Sequence, residues 1–192
     1  MRVGLFFGSF NPIHNGHIQI ARSVLERAIC NEVWFVVSPQ NPFKAGVDML
    51  PEKVRYSLVE KVVESEVGLK ACNVELDMPK PSYTIDTLNV LEKLYPQHTF
   101  SILMGGDNIA KFDKWKSHEE LAARFQLIAY PRPGAEIPSF IPEKTIIINA
   151  PLMEISSTEI RQRVLSGQSI SEYVPNAIIE SVENLYKSFK LT

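Results

Sequence analysis

The chain has 192 residues, of which 45% are hydrophobic and 22% are charged, a balance typical of a folded globular domain. Its 20 Lys and Arg residues nearly balance its 22 Asp and Glu residues, and the formal net charge is -2. The charge therefore excludes a strong overall field for nucleic acid or for a membrane surface, and any anion must be bound by a local group of donors.

Length and cysteine usage predict one cytoplasmic domain. Residues 1–192 are enough for a sizeable core, and no linker rich in Gly, Ser or Pro divides them. Cys30 and Cys72 lack the spacing of a disulfide framework or a zinc site, which fits a reducing compartment. No apolar run approaches the ~20 residues that span a bilayer, and the first run is too short for a signal sequence. We expect a soluble, unprocessed protein without nucleic-acid or membrane partners, and an oligomer is compatible with this sequence.

The predicted elements alternate between strands and helices along the chain. Short apolar runs predict strands at residues 2–7, 32–38, 70–76, 99–105, 125–131 and 144–150. Apolar residues at helical spacing predict helices at residues 14–28, 51–65, 82–96, 117–125, 156–167 and 176–189. This alternation is typical of a parallel sheet with crossover helices. We predict a doubly wound α/β fold, with a Rossmann-like parallel sheet of five to six strands, flanking helices and a C-terminal helical segment.

Polar loops follow several of the predicted strands. They are "GSFNPIHNGH" at residues 8–17, "PQNPFK" at 39–44, "GGDN" at 105–108 and "SSTEIR" at 156–161. Open parallel sheets bind ligands at the carboxyl ends of their strands, near the point where the helices change sides. We therefore expect these loops to meet at one edge of the sheet.

The first of these loops predicts a phosphate site. Gly8 and Gly16 permit a close approach of ligand to backbone, and Ser9 offers a hydroxyl. A helix that begins beside Gly16 would direct unpaired N–H groups at the loop, with His14 and His17 on one side of its first turn. Two imidazoles could then hold one anion. Considered alone, the loop is also compatible with a turn in which one histidine caps the helix and the other is solvated.

The "SSTEIR" segment predicts a second anion site. Ser156 as N-cap and Glu159 three residues later fit a capping box, which by itself needs no ligand. Ser157 and Thr158 add hydroxyls in the first turn, and Arg161 supplies a fork of donors at the same end. Together with the first loop, these donors suit a polyphosphate.

The remaining loops offer single groups with ordinary structural roles as well. Lys44 could reach a phosphate, and Asp107 could accept hydrogen bonds from ribose hydroxyls or orient a metal-bound water. "SYTIDTL" predicts a helix start with Thr84 as its cap and Asp86 in its first turn. Trp115 could stack on a flat heterocycle. A solvated lysine, a capping aspartate and a packed tryptophan are the plain alternatives.

Taken together, these motifs resemble a known family. "GSFNPIHNGH" with "ISSTEIR" resembles the two signature motifs of the HxGH nucleotidyltransferase superfamily. "PQNPFK", "SYTIDTL" and "GGDN…W", in this order, resemble bacterial nicotinate-nucleotide adenylyltransferases, and the similarity extends from Gly8 to Arg161. The resemblance implies an enzyme of NAD biosynthesis that joins nicotinate mononucleotide to the AMP part of ATP, giving nicotinate adenine dinucleotide and pyrophosphate. Mg²⁺ would be carried by the ATP phosphates, without dedicated protein ligands.

The resemblance also implies roles for individual residues. The catalytic phosphate contacts would be His14, His17, Lys44 and Arg161. The other ATP-binding residues would be Gly8, Ser9, Phe10, Gly16, Gly105, Asp107, Ser156, Ser157 and Thr158. Nicotinate mononucleotide would be bound by Asn41, Tyr83, Thr84 and Trp115. Donors suffice because the transfer needs positioning and charge stabilisation rather than a covalent intermediate. N–H groups at the start of the "TIDTL" helix would favour a nicotinate carboxylate over a carboxamide.

Some positions depart from the family pattern. Pro42-Phe43-Lys44 stands where Pro-His-Lys is often found, Asn11 where Asp is frequent, and Phe7 where Gly is frequent. None of these departures removes a side chain that could donate a hydrogen bond to a phosphate. The loop "PQNPFKAG", residues 39–46, is the segment we predict to move on binding.

Other functions are compatible with parts of the pattern. Phosphopantetheine adenylyltransferases usually have Thr in place of His14 and lack "SYTIDTL", and a cytidylyltransferase would use CTP. A class I aminoacyl-tRNA synthetase carries a related motif, but 192 residues leave no room for an anticodon-binding part. A regulatory module could bind a nucleotide without turning it over. Turnover of defined substrates separates these possibilities.

Overall fold

The predicted alternation of strands and helices is confirmed by the computed structural model, which describes residues 1–39, 49–131, 141–149 and 155–189. The strands are β1 (Arg2–Gly8), β2 (Glu32–Val37), β3 (Leu69–Cys72), β4 (Thr99–Gly105), β5 (Gln126–Tyr130) and β6 (Thr145–Ile147). The α-helices are α1 (Asn15–Glu26), α2 (Glu52–Val63), α3 (Thr84–Leu94), α4 (Gly106–Ile109), α5 (His118–Arg124), α6 (Ser157–Leu165) and α7 (Ile179–Ser188). Short 3₁₀ helices cover Val74–Asp77, Phe112–Lys114 and Asn176–Ile178.

The described strands form a parallel sheet in the order β3-β2-β1-β4-β5-β6. The strand order reverses between β1 and β4, which are neighbours paired from Arg2–Thr99 to Phe6–Leu103. This reversal is the switch point of a doubly wound sheet, where the loops at the carboxyl ends of two strands diverge and leave a crevice. The fold therefore places the loops after β1 and β4 side by side.

Helices cover both faces of the sheet. Phe6 on β1 packs in the cluster that includes residues of α1, α2, α6 and α7. Its neighbour Leu5 points to the other face and packs with residues of α3 and α5. Because both faces are buried, the strands are continuous apolar runs rather than alternating ones. Within the described ranges, no helix has the length and apolar character needed to cross a bilayer.

The strand predicted at residues 70–76 is wrong at its carboxyl end. β3 is shorter, and Val74–Asp77 form a 3₁₀ helix instead. This turn buries Glu75, whose carboxylate accepts hydrogen bonds from the hydroxyls of Ser82 and Thr87. Both partners belong to a later loop and helix, and local apolar alternation carries no information about such contacts.

Both cysteines are buried free thiols, and burial raises the pKa of Cys30 and of Cys72 from the ordinary value of 9.0 to about 11. We expect the native protein to resist alkylation by iodoacetamide at pH 8, whereas both thiols react in urea. Because folding raises these pKa values, the stability contributed by the neutral thiols is complete below pH 9.0 and is lost as the pH rises through about 11. Mass spectrometry after timed alkylation measures the difference, and equal modification with and without urea would contradict it.

Candidate active site

A polar cleft lies at the switch point, beside the carboxyl ends of β1 and β4. It is bordered by the loop after β1, the start of α4 and the start of α6. The predicted phosphate- and ATP-binding residues that line it are Gly8, Ser9, Phe10, His14, His17, Asp107, Ser156, Ser157, Thr158 and Arg161. The predicted contacts Gly16, buried in the first turn of α1, and Gly105, the last residue of β4, are not among the residues that line the cleft.

The two imidazoles lie against each other at the start of α1, as the spacing of three residues predicts. Their ring centroids are 3.7 Å apart and the rings are tilted by 31°. His14 is the N-cap residue, and its backbone N–H donates to Nδ1 of His17 at 3.3 Å. Because Nδ1 accepts, the proton of the neutral His17 ring resides on Nε2. His17 therefore has a ring N–H donor at the cleft.

A buried aromatic ring supports this arrangement from below. Phe10 has a φ of 44°, in the left-handed region, and its ring lies 5.1 Å from His17 and 5.3 Å from Phe35. A Cβ at Gly8 would lie 2.8 Å from the Phe10 ring, so only glycine fits that position. Phe10, predicted as an ATP contact, is 2% exposed and packs mainly in the core beneath the loop.

The start of α6 is tied to the loop after β1. Ser156 is the N-cap, as predicted, and its Oγ accepts the backbone N–H of Glu159 at 3.1 Å. The Glu159 carboxylate lies 3.6 Å from the Arg163 guanidinium. The Ser157 hydroxyl donates to the carbonyl of Pro12 at 2.9 Å, which joins the two phosphate motifs of the sequence.

Arg161 is oriented by the same loop. One of its terminal nitrogens donates to the Asn11 carbonyl at 2.8 Å, and the other donates to Oγ1 of Thr158 at 3.1 Å. A guanidinium carries five N–H donors in a planar fork. These two contacts fix the plane of the fork and leave donors for an anion in the cleft.

Asp107 lies in the first turn of α4, a short helix that begins at Gly106 directly after β4. It is the one carboxylate among the described residues that line the cleft. A Cβ at Gly105 would lie 2.6 Å from Oδ1 of Asp107 and 3.2 Å from the Tyr130 hydroxyl. Gly105 therefore provides the space that the Asp107 carboxylate occupies.

A second pocket adjoins the cleft, since the two share Phe7, Gly8 and Asn108. It contains the predicted acceptor-binding residues Tyr83, Thr84 and Trp115. The predicted cap at Thr84 is wrong by one residue: Tyr83 is the N-cap and Thr84 is the first residue of α3. The amino-terminal turn of α3 therefore borders a pocket next to the histidine-containing cleft.

Sequence reasoning missed three charged residues of this second pocket, Glu75, Lys114 and Lys116. The Lys116 ammonium lies 4.7 Å from the centre of the Tyr83 ring and 2.8 Å from Oδ2 of Asp86. Glu75 was placed in a strand, and no local pattern indicates that it turns inward. Lys116 follows Trp115 directly and could have been identified by that adjacency.

Sequence reasoning also missed a buried guanidinium behind the loop after β1. Arg55 on α2 is 1% exposed and donates to the carbonyls of Ser38 and Pro39, both at 3.0 Å, of Leu50 at 2.8 Å, and of Ser9. Burial lowers the pKa of this guanidinium. Arg55 thus joins the carboxyl ends of β1 and β2 to the segment that precedes α2.

The side chain of Asn11 is a second buried junction. Its Oδ1 accepts the Tyr186 hydroxyl at 2.6 Å and the Leu50 backbone N–H at 3.2 Å. Burial raises the pKa of Tyr186, so its hydroxyl remains a donor. Helix α7 is thereby bonded to the loop that carries the histidines.

Some of the predicted site falls outside the described residues. Asn41, Lys44, the Phe43 departure and most of the loop predicted to move lie there. In the ranges that the structure describes, no group of three or more His, Cys, Asp or Glu side chains is placed to hold a metal ion.

Comparison with known proteins identifies relatives that match most of the chain. The family model "Cytidylyltransferase-like" matches residues 5–163. A Cytophaga hutchinsonii protein described as a probable nicotinate-nucleotide adenylyltransferase is 42% identical over 95% of this chain and 95% of its own length. A Porphyromonas gingivalis protein with the same description is 42% identical over 91% of this chain and 90% of its own length.

A solved structure shows the same fold. Plasmodium falciparum nicotinic acid mononucleotide adenylyltransferase, in complex with NaAD, superposes with a TM-score of 0.78 over 97% of each chain, at 22% identity. Given the family model and the relatives at 42% identity, the chain belongs to the cytidylyltransferase-like family and, within it, to the nicotinate-nucleotide adenylyltransferases.

Proposed function

We infer that the chain is an adenylyltransferase that joins nicotinate mononucleotide to the AMP part of ATP, giving nicotinate adenine dinucleotide and pyrophosphate in NAD biosynthesis. The observation that carries this inference is the pair of adjoining pockets. One is lined by imidazole, guanidinium and hydroxyl donors, and the other by Tyr83, Trp115 and the start of α3. A polyphosphate suits the first pocket, and a flat ring with a negative substituent suits the second.

In this reaction a phosphate oxygen of nicotinate mononucleotide attacks the α-phosphorus of ATP. The new P–O bond forms as the bond from the α-phosphorus to the bridging oxygen breaks, and that electron pair leaves with pyrophosphate. The attacking oxygen is already anionic, so no side chain has to remove a proton. The donors on Nε2 of His17, on Arg161 and on Thr158 stabilise the charge that develops on the leaving group.

The side chains of the cleft suit Mg²⁺ only when the ion is bound to the phosphates of ATP. The described lining has one carboxylate, that of Asp107, and the other side chains are mostly N–H and O–H donors. Mg²⁺ retains several waters and prefers oxygen ligands, so the ATP phosphates would hold it. Bound there, it would neutralise phosphate charge, and the Asp107 carboxylate could accept a hydrogen bond from one of its waters or from a ribose hydroxyl.

The second pocket supports a proposed preference for the acid mononucleotide over the amide. Backbone N–H groups in the first turn of α3 have no partners within the helix and lie at the positive end of its dipole. A carboxylate can accept from them, whereas the NH₂ of a carboxamide is a competing donor. We further propose that residues 1–192 work as one domain, in the cytoplasm, where ATP is supplied.

A cytidylyltransferase is the second candidate, because the matching family model is described as cytidylyltransferase-like. The test is pyrophosphate release with Mg²⁺ and either ATP or CTP. The acceptors would be nicotinate mononucleotide, nicotinamide mononucleotide and phosphopantetheine. We expect pyrophosphate release with ATP and nicotinate mononucleotide. Its kcat/KM should be at least roughly tenfold higher than that for nicotinamide mononucleotide. Activity confined to CTP or to phosphopantetheine would overturn the proposal, and nucleotide binding without any release would favour a regulatory module.

A further inference from the structure

The second pocket has a buried carboxylate in its wall that the reaction does not use. Glu75 is 2% exposed and lies in the 3₁₀ helix Val74–Asp77. One of its oxygens, Oε2, accepts the Ser82 hydroxyl at 2.8 Å, and the other, Oε1, accepts the Thr87 hydroxyl at 2.8 Å. A buried carboxylate is stable only when such donors replace its hydration.

The two hydroxyls lie on either side of the segment that borders the pocket. Ser82 precedes Tyr83 and Thr84, and Thr87 follows them in the first turn of α3. The backbone N–H of Thr87 also donates to the Tyr83 carbonyl at 3.1 Å. One carboxylate therefore holds both ends of the segment whose backbone N–H groups begin the helix.

These contacts also determine which donors remain for a ligand. The Ser82 hydroxyl proton is directed at Glu75, and the Thr87 proton has Glu75 at 2.8 Å and the Tyr83 carbonyl at 3.2 Å as its acceptors. Each hydroxyl has a single proton, so while these bonds are made neither hydroxyl can donate to a bound ligand. The backbone N–H groups at the start of α3 can still donate to a ligand, and the direction in which they point depends on the conformation of residues 82–84. Glu75 thus controls the geometry of the pocket wall without facing the reacting phosphates.

We propose that Glu75 is a positioning residue for the acceptor: by anchoring Ser82 and Thr87, it fixes the start of α3 for the carboxylate of a pyridine mononucleotide. This proposal rests on the proposed function. Glu75 also has an unfavourable effect on the acceptor, because its negative charge repels the carboxylate of an anionic ligand in the same pocket. The positioning effect and the charge effect change acceptor affinity in opposite directions. The sign of the change in Glu75→Gln therefore shows which effect is larger, and a variant that removes one anchor but keeps the charge isolates the positioning effect.

The test is the substitution Glu75→Gln, which removes the charge and leaves one acceptor oxygen for two hydroxyls. We expect the KM for nicotinate mononucleotide to rise by roughly fivefold to tenfold, with the KM for ATP unchanged. Ser82→Ala removes one anchor and leaves the charge, and we expect a rise of similar size. If both variants act through the same contact, the double variant will show less than the product of the two single effects.

Glu32→Gln is the matched control, because that carboxylate also accepts two donors, from Trp34 at 2.7 Å and Lys70 at 2.9 Å, at the opposite end of the sheet. It should leave both KM values unchanged. A fall in the KM for the acceptor in Glu75→Gln, or equal changes for ATP and acceptor, would overturn the proposal. If the wild-type enzyme does not use nicotinate mononucleotide, the proposed function fails. A wild-type enzyme that does use it, with unaffected Glu75 variants, disproves only the role of Glu75.

Discussion

Replacing His17 with alanine is expected to lower kcat for pyrophosphate release by roughly two to three orders of magnitude, as removal of one preorganised donor does in other transfer reactions. The Nε2–H of His17 is directed by the hydrogen bond that Nδ1 accepts from the His14 backbone. Alanine removes the donor and also the ring that packs on His14 at 3.7 Å. The kinetics of ATP turnover, measured with saturating acceptor, provide kcat and KM separately.

The division between kcat and KM decides how His17 acts. A loss confined to kcat means that the His17 donor acts only in the transition state. A rise in KM alone would mean that this donor stabilises the bound substrate and the transition state equally. His118→Ala is the control, because that histidine begins α5 and does not line the cleft. Unchanged kcat in His17→Ala would remove the imidazole from the mechanism.

Replacing Arg55 with methionine is expected to lower the free energy of unfolding by about 3 kcal/mol or more, because buried carbonyls that lose their donor cost about 1–3 kcal/mol each. The guanidinium supplies donors to four backbone carbonyls on three segments. For a chain of this size the change corresponds to a fall in Tm of roughly 6–12 °C. Urea unfolding followed by circular dichroism measures it.

Two further variants show that the loss comes from these contacts. Arg55→Lys keeps the charge, but one ammonium cannot reach carbonyls that lie in different directions, so we expect most of the loss to remain. Arg22→Met is the control: its ion pair with Glu66 is at the surface, and such pairs contribute about 0–1 kcal/mol. If Arg55→Met were as stable as Arg22→Met, the buried cluster would not be what holds the loop ends together.

The sequence was most informative where a local rule determines structure. Continuous apolar runs bounded by polar loops indicated the strands, and the Ser156 cap has the hydrogen bond that its motif predicts. The i, i+3 spacing likewise placed His14 beside His17. In each case the physical cause lies within a few residues of the pattern, so reading the pattern was enough.

The features that the sequence did not reveal depend on distant partners. Arg55 resembles any helical arginine, and its burial follows from carbonyls of Ser9 and Ser38 that the fold brings to it. The apolar pattern around Glu75 predicts a strand, and it cannot reveal the inward turn because the partners of this carboxylate lie 7 and 12 residues further along the chain. Long-range satisfaction of buried polar groups is a property of the assembled fold, and no local periodicity encodes it.

The bond between Tyr186 and Asn11 has a consequence for the order of events during synthesis. The two residues are 175 positions apart, so the ribosome makes the loop that carries both histidines long before its partner in α7. A ribosome-bound chain can form the early strands, yet Asn11 cannot receive the Tyr186 hydroxyl until α7 has left the exit tunnel. The polar cleft therefore gains this support only after all six strands of the sheet have been made, because α7 follows them in the chain.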